Sequence, residues 1–345
     1  MRSFLRRIVV FGVAAILASA TAELVMRAYC YAPRVFDSTF GFIADESLSS
    51  HWNREGNGEG HWRARGVRSD PAPASGPPLL VLGDSLTEAM HVDDAQTYCS
   101  RLSVALARAG HPTAILNAGI AGVAIARYVA LAEAYKATFH PHWTVVQLDS
   151  TDLTDAWALS DSHFVRSSPD GPLRVVAMTP MGQGGRLRQL VRRMRAQSAL
   201  LQNAVLQLGA LATDWTAWHP FHNGEAPPRE SSLPASSSPV EEELSALVTA
   251  FDGRVTLLFI PAPDQPGHPD EASLEERAVM DACAKRGWSC PQLRPAFTAM
   301  TKLGRSPRGF ANSGYDIGHF NIEGHATIAG VLERELERLR LNDLF

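Results

Sequence analysis

Short apolar runs that recur between helical segments are the feature that most constrains the fold of this chain. Residues 79–82, 143–148 and 255–260 are mostly apolar and rich in Leu and Val, as strands buried on both faces are. Residues 113–116 are a fourth candidate strand. Strands that alternate with helices predict an α/β fold, in which a parallel sheet is covered by helices on both faces. The predicted helices are residues 97–109, 127–136, 274–285 and 324–341.

The N-terminus has the pattern of a segment that enters a membrane. Three arginines within the first seven residues precede an apolar run over residues 8–22, which is typical of insertion with the N-terminus inside. Two Ala-x-Ala sequences, at residues 18–20 and 20–22, fit signal cleavage. A helix that continues past residue 22 instead approaches the ~20 residues that a membrane anchor needs. We therefore expect residues 1–32 to be either a retained transmembrane anchor or a cleaved secretion signal, with the bulk of the chain on the periplasmic side.

Two stretches interrupt the alternation of strands and helices. Residues 33–78 show little apolar periodicity and are rich in Gly and Pro, so we interpret them as an extended linker region with short strands at most. Residues 155–239 contain a basic amphipathic segment, residues 186–208, and a Pro- and Ser-rich tract, and we interpret them as a helical cap. The arginines of that segment are typical of a solvated helix face, and contact with anionic headgroups is the alternative. The remaining chain, residues 79–345, is predicted to form one domain around this insertion.

The charge balance argues against nucleic acid as a partner. The net charge is −4, and the first 22 residues hold three arginines and no acid, so the rest of the chain is more acidic still. A phosphate backbone needs a partner of the opposite sign. The chain has four cysteines, too few for a disulfide scaffold at this length. Cys283 and Cys290 either close a small loop or are two independent buried thiols.

Polar residues with catalytic potential follow the predicted strands, at the sheet edge where parallel sheets bind ligands. Ser85 comes three residues after the first strand, in the sequence Gly-Asp-Ser. A neutral hydroxyl is a weak nucleophile and needs a base, which in turn needs a partner that fixes its tautomer. Asp316 and His319 are three residues apart, so that one turn can deliver both. His325, at the start of the last predicted helix, is interpreted as a structural residue.

Four separated blocks together resemble the SGNH, or GDSL, hydrolase superfamily, over residues 79–345. Gly-Asp-Ser-Leu at residues 83–86 matches the nucleophile block, Gly122 matches the block of the oxyanion glycine, and Asp-Ile-Gly-His at residues 316–319 matches the Asp-x-x-His block. The resemblance implies a flavodoxin-like, three-layer α/β/α sandwich. It also implies Ser85 as nucleophile, His319 as general base and then acid, and Asp316 as the residue that orients His319. The backbone N–H groups of Ser85 and Gly122 are then the donors to the oxyanion.

One block departs from the family pattern. Where the family has Gly-x-Asn-Asp, residues 149–152 read Asp-Ser-Thr-Asp, so Thr151 stands in the place of an oxyanion donor. A Thr hydroxyl donates one hydrogen bond and reaches less far than an Asn amide.

The resemblance to the membrane-anchored bacterial branch of this superfamily implies a serine esterase of the cell envelope that needs no cofactor or metal. The expected substrate is a carboxylic ester, such as an O-acetylated glycan or a lipid ester. An O-acyltransferase on an envelope polysaccharide is one alternative. A non-catalytic binding protein with a degenerate oxyanion hole is the other.

Overall fold

The computed structural model describes residues 2–68, 76–153, 162–166, 173–177, 186–205, 207, 238–262 and 271–340. The strands within these ranges are β1 Cys30–Tyr31, β2 Arg34–Asp37, β3 Gly41–Ala44, β4 Ser50–Trp52, β5 Gly58–Gly60, β6 Trp62–Arg63, β7 Val67–Arg68, β8 Leu79–Leu82, β9 Ile115–Asn117, β10 Trp143–Leu148, β11 Ser162–Arg166, β12 Leu173–Ala177, β13 Val255–Phe259, β14 Arg308–Phe310 and β15 Gly314–Phe320.

The α-helices are α1 Arg2–Tyr29, α2 Ser85–Glu88, α3 Tyr98–Arg108, α4 Ile125–Phe139, α5 Arg186–Gln197, α6 over residues 199–205, α7 Ser238–Ala250, α8 Leu274–Arg286, α9 Arg294–Lys302 and α10 Ile322–Arg340. The helices predicted over residues 97–109, 127–136, 274–285 and 324–341 are present, with ends that differ by at most three residues. Helices α2, α7 and α9 were not predicted.

A six-stranded mixed sheet lies at the centre of the molecule, in the order β13-β10-β8-β9-β7-β6. Its first four strands are the predicted ones, and each pairs in parallel with its neighbour. Strands β7 and β6 extend the sheet in the antiparallel sense. The predicted parallel sheet is therefore confirmed, whereas its antiparallel edge was not foreseen.

Alternating residues of the central strands pack into two separate cores. Leu80 and Leu82 of β8 are fully buried on the face that is covered by α4, α7 and α8. Leu79 and Val81 are equally buried on the opposite face, against α3, α9 and α10. Because side chains alternate along a strand, an apolar run fills both cores only when helices cover both faces. The expected three-layer α/β/α arrangement is confirmed.

Residues 33–68 are not a linker, so the interpretation of residues 33–78 as an extended linker is wrong over this described part. They form the hairpin β2–β3, a small sheet in which β1, β4 and β5 pair, and the sheet edge β6–β7. Arg68 of β7 is 1% exposed, and its guanidinium donates five hydrogen bonds, to the Asp94 carboxylate and to four backbone carbonyls. Short Gly-rich strands carry little periodicity, and here a buried arginine lies beside a small apolar cluster of Ala44, Trp62 and Met90.

The insertion at residues 155–239 is described only in part. Strands β11 and β12 form an antiparallel hairpin that packs against α4, and α5 packs against β2. The hairpin was not expected in a helical cap. The expected helix over residues 186–208 is divided at Ser198 into α5 and α6. The Pro- and Ser-rich tract, residues 227–239, lies outside the described residues up to position 237.

Two further features complete the fold. Cys283 and Cys290 are joined in a disulfide, which decides between the alternatives left open by their spacing. Cys30 and Cys99 are buried thiols. Helix α1 contains a stretch, Ser3–Tyr29, long and apolar enough to cross a membrane, and the most hydrophobic part of that stretch is not buried within the molecule.

Candidate active site

Ser85 is presented at the carboxyl end of β8 by a tight strand-to-helix turn. Asp84 caps the short helix α2, because its side chain accepts a hydrogen bond from the Leu86 N–H. Gly83 is required at the start of this turn, since a Cβ there would lie 1.9 Å from the Thr87 hydroxyl oxygen. The Ser85 hydroxyl oxygen lies 3.0 Å from Nε2 of His319, as the sequence predicted. Nucleophile and base are therefore within hydrogen-bonding distance of each other.

Glu55, and not Asp316, is the acidic partner of His319. Oε2 of Glu55 lies 2.8 Å from Nδ1 of the ring, and Oε1 accepts the backbone N–H of His319 at 2.6 Å. With the proton on Nδ1 donated to Glu55, Nε2 is free to accept the Ser85 hydroxyl hydrogen. The arrangement Ser85–His319–Glu55 has the geometry of a catalytic triad, and its acid comes from the loop between β4 and β5, within the region mistaken for a linker.

Gly318 creates the space that the Glu55 carboxylate occupies. A Cβ at position 318 would lie 2.1 Å from Oε1 of Glu55, so no side chain fits there. Asn312 holds the other side of the Glu55 loop, because its amide accepts from Gly56 N–H at 2.9 Å and donates to Gly56 C=O at 2.8 Å. The turn between β14 and β15 thus fixes Glu55 through its neighbour in sequence.

Asp316 has a different environment from the one predicted. It lies in an irregular part of β15, with a left-handed backbone (φ 67°) and an exposed side chain. Its N–H donates to the Ser306 hydroxyl at 3.3 Å. Both ring nitrogens of His319 already have other partners, so the assignment of Asp316 as the orienting acid is wrong. The Asp-x-x-His spacing suggested one turn, but residues 314–320 form the irregular strand β15, in which Asp316 and Gly318 have left-handed backbones and the Asp316 side chain is exposed.

His91, to which the sequence analysis assigned no role, stacks on the proposed base. Its ring lies 3.6 Å from the His319 ring, centroid to centroid, with 17° between the planes. Burial lowers the pKa of His91 well below its ordinary value, and the nearby charges of His319, His325 and Arg68 lower it further. A neutral ring of this kind is a flat surface that fixes the plane of the His319 ring.

Glu55, His91 and His319 are also the one group of potential metal ligands found among the described residues, with donor atoms within 4.8 Å of one another. Metal ligands need lone pairs that converge on one point. Stacked rings direct their in-plane lone pairs side by side, and the Glu55 carboxylate is already bonded to His319. The geometry therefore fits a triad with a stacked support better than a metal centre.

The site lowers the pKa of one carboxylate and raises the pKa of two others. Burial would raise the pKa of Glu55, but the hydrogen bonds and charge of His319, together with Arg308, outweigh it, and the pKa lies below its ordinary value. Burial, reinforced by the charge of Asp149, raises the pKa of Asp84 to about 7. The same two causes raise the pKa of the buried Asp152 well above its usual range. Glu55 is thus ready to stabilise an imidazolium at neutral pH.

The predicted oxyanion donors have unequal support. Ser85 is the first residue of α2, where a backbone N–H has no acceptor within the helix. Gly122, with φ of 76°, lies in the loop after β9, and this loop is joined to the nucleophile turn by a 3.1 Å bond from Ala121 N–H to Oε2 of Glu88. Thr151 differs, because its hydroxyl donates to Oδ1 of Asp149 at 2.6 Å. That hydrogen is therefore not available to an oxyanion.

His325 fits the structural role expected of it. The side chain is 1% exposed, and Nδ1 accepts the Tyr98 N–H at 3.3 Å. Burial lowers the pKa of His325 to about 3, so the ring is neutral and joins α10 to the start of α3.

No protein-family model matches the chain, and no curated protein matches it. Solved structures similar to it include TesA, with 15% identity, a TM-score of 0.42, and coverage of 76% of this chain and 99% of that one. A mutant of the acetylxylan esterase Axe2 from Geobacillus stearothermophilus has 14% identity, a TM-score of 0.41, and coverage of 77% and 96%. The esterase EstA from Pseudoalteromonas sp. has 11% identity, a TM-score of 0.40, and coverage of 78% and 100%. A likeness this distant says nothing about the chemistry of the site, which follows from its own geometry.

Proposed function

We propose that this protein is a serine ester hydrolase of the SGNH type. Ser85 attacks the carbonyl carbon of an ester while His319 takes the hydroxyl proton at Nε2. Glu55 stabilises the imidazolium that forms, and the N–H groups of Ser85 and Gly122 donate to the oxyanion. His319 then returns the proton to the departing alcohol. Water attacks the acyl-enzyme in a second step of the same kind, which releases the acid and restores the serine.

The observation that carries the proposal is the continuous chain of contacts from nucleophile to acid. The two hydrogen-bonding distances, 3.0 Å and 2.8 Å, lie on opposite nitrogens of one imidazole. A serine hydroxyl on one ring nitrogen and a carboxylate with a lowered pKa on the other are typical of a catalytic histidine and are not required for packing alone. The sequence blocks that resemble the superfamily supply the same serine and histidine independently.

The cellular location of the enzyme is part of the proposal. Helix α1 is long and apolar enough to anchor the chain, and the disulfide Cys283–Cys290 suits an oxidising compartment. We therefore place the catalytic domain on the periplasmic face of a membrane. Esters available there include O-acetyl groups of envelope glycans and lipid esters. Transfer of the acyl group to a sugar hydroxyl uses the same acyl-enzyme and differs only in the nucleophile of the second step.

A binding protein that has lost catalysis is the second candidate, and one observation favours it. The Thr151 hydroxyl is engaged with Asp149, so the oxyanion hole lacks the third donor of the family pattern. Loss of one such donor costs about 10²–10³ in rate. The intact Ser85–His319–Glu55 contacts favour the enzyme over this candidate.

A fluorophosphonate probe separates the two candidates, because it labels only a serine that has been activated. We expect the detergent-solubilised full chain to be labelled at Ser85 and to hydrolyse p-nitrophenyl acetate. Ser85→Ala and Glu55→Gln should lose both properties, while Asp316→Asn should keep them. Absence of labelling in a folded wild-type protein would favour the binding protein. Acyl groups recovered on an added sugar, instead of in free acid, would identify a transferase.

A further inference from the structure

Helix α5 exposes an apolar stripe on the side that faces away from the protein. Leu190, Val191 and Met194 are 54%, 54% and 52% exposed. Their spacing of three and four residues places them on one face of the helix. Ala196 lies on the opposite face and is buried, and α5 packs against β2. The apolar stripe is therefore not the face of α5 that is buried in the protein.

Positive charge lies on both sides of this stripe. At 100° per residue, Arg193 and Arg195 are each about 90–110° from its centre, in opposite directions. Both side chains are exposed. The sequence of α5 holds five arginines and no acidic residue. A narrow apolar face flanked by arginines is the pattern of a helix that lies in the surface of an anionic membrane.

The end of α5 is fixed to the end of the helix that can cross a membrane. Arg27 of α1 donates to the carbonyl of Gln197, the last residue of α5, at 2.8 Å. The carboxylate of Glu23 accepts from the Ser198 hydroxyl at 2.8 Å and from the backbone N–H groups of Ala199 and Leu200, each at 2.9 Å. Glu23 thereby caps α6 across more than 170 residues of sequence. Both Ala-x-Ala sequences precede Glu23, so these contacts survive cleavage at either.

We propose that the stripe Leu190–Val191–Met194, with Arg193 and Arg195 beside it, binds the anionic headgroup layer of the membrane that α1 enters. The last two turns of α1 hold the C-terminal end of α5, which sets α5 at the level where a spanning helix leaves the bilayer. The apolar side chains enter the headgroup boundary and the guanidinium groups pair with lipid phosphates. The site is a lipid surface and does not depend on the proposed esterase activity. It does depend on the entry of α1 into the bilayer.

A fluorophore attached at position 194 tests this contact in the full chain. Cys30 and Cys99 are buried and the other two cysteines form a disulfide, so Met194→Cys provides a selectively labelled thiol. Ala107→Cys, on the exposed side of α3, is the matched control. Each protein is reconstituted into vesicles of phosphatidylcholine alone or mixed equally with phosphatidylglycerol, both containing a nitroxide-labelled lipid. We expect strong quenching at position 194 in the mixed vesicles, weaker quenching in phosphatidylcholine, and little at position 107 in either.

Charge variants test the role of the arginines. Arg193→Gln and Arg195→Gln should each lower the ratio of quenched to unquenched label about fivefold in the mixed vesicles, in proportion to one lost positive charge at an anionic surface. Equal quenching at position 194 in both vesicles would overturn the assignment of anionic lipid. A label that is shielded from water but not quenched by lipid would also overturn it, because a second copy of the chain then covers the stripe.

Discussion

Replacing Glu55 by Gln removes one negative charge from the proposed active site while the shape of the side chain stays nearly the same. The charge matters most in the transition state, because His319 takes up the serine proton during the reaction. With the charges about 4 Å apart and an effective dielectric constant of about 20, their attraction is ~4 kcal/mol. That energy corresponds to about 10³ in rate. A Gln amide that donates to Nδ1 and selects the wrong tautomer extends the loss to about 10⁴, as in the serine protease triad that serves as the reference case.

The assay is kcat/KM for p-nitrophenyl acetate with the full chain in detergent, after thermal melting shows that each variant is folded. Asp316→Asn is the matched control, since it makes the same change from acid to amide at the residue that the sequence motif favours. We expect Asp316→Asn to stay within about threefold of the wild type, in line with a surface substitution. If Asp316→Asn lost activity as Ser85→Ala does while Glu55→Gln remained active, the assignment of the triad acid would be refuted.

Three more predictions address the support of the site. Thr151→Val should change kcat/KM by less than about threefold, because the hydroxyl already donates to Asp149; a loss near 10² would mean that Thr151 serves the oxyanion. Arg68→Met should lower the free energy of unfolding by about 3–5 kcal/mol, since it leaves five hydrogen-bond acceptors around a buried position without their donor. Arg68→Lys should recover little of this stability, because an ammonium group cannot replace the planar guanidinium. Chemical denaturation measures both variants. The pKa of Asp84 is raised to about 7 from 3.8, so the folded state binds its proton more tightly than the unfolded state, and the associated stability is present below about pH 4 and lost as the pH rises through about 7. Asn does not titrate, so only the wild type loses this stability. The Tm of Asp84→Asn minus the Tm of the wild type should therefore increase from about pH 4 to about pH 7, and a difference that does not change with pH would contradict the raised pKa.

The contact between Ser85 and His319 was predictable because local sequence patterns identify both residues. Ser85 needs only a glycine-containing turn after a buried strand, and His319 precedes the last helix in a recognisable block. Glu55 has no such local signal, because it reaches His319 across 264 residues and lies in a segment without periodicity. Its position among glycines, in the sequence Glu-Gly-Asn-Gly, was the available indication, since such loops allow close approach of backbone to side chain.

The same distinction separates the strands that were predicted from those that were not. Strands β8, β10 and β13 are buried on both faces, so most of their residues are apolar. Strands β6 and β7 have two residues each, too few for any period to be visible. They are held by partners such as the Arg68 hydrogen bonds, which exist only once the chain has folded. A pattern-based prediction therefore finds the sheet centre and misses its edge.

Glu55 and His319 are 264 residues apart in the sequence, so the ribosome adds them to the chain at different times. At ~5–20 residues per second, a ribosome needs roughly 10–50 s to make the segment that separates them. During that interval the nascent chain already contains the nucleophile but has no oriented base. In the proposed mechanism the serine is activated only after β15 has been made and has brought His319 to the Glu55 loop. We therefore expect chains that stop short of β15 to be inert toward esters, so that a growing polypeptide does not attack neighbouring esters before its synthesis is nearly complete.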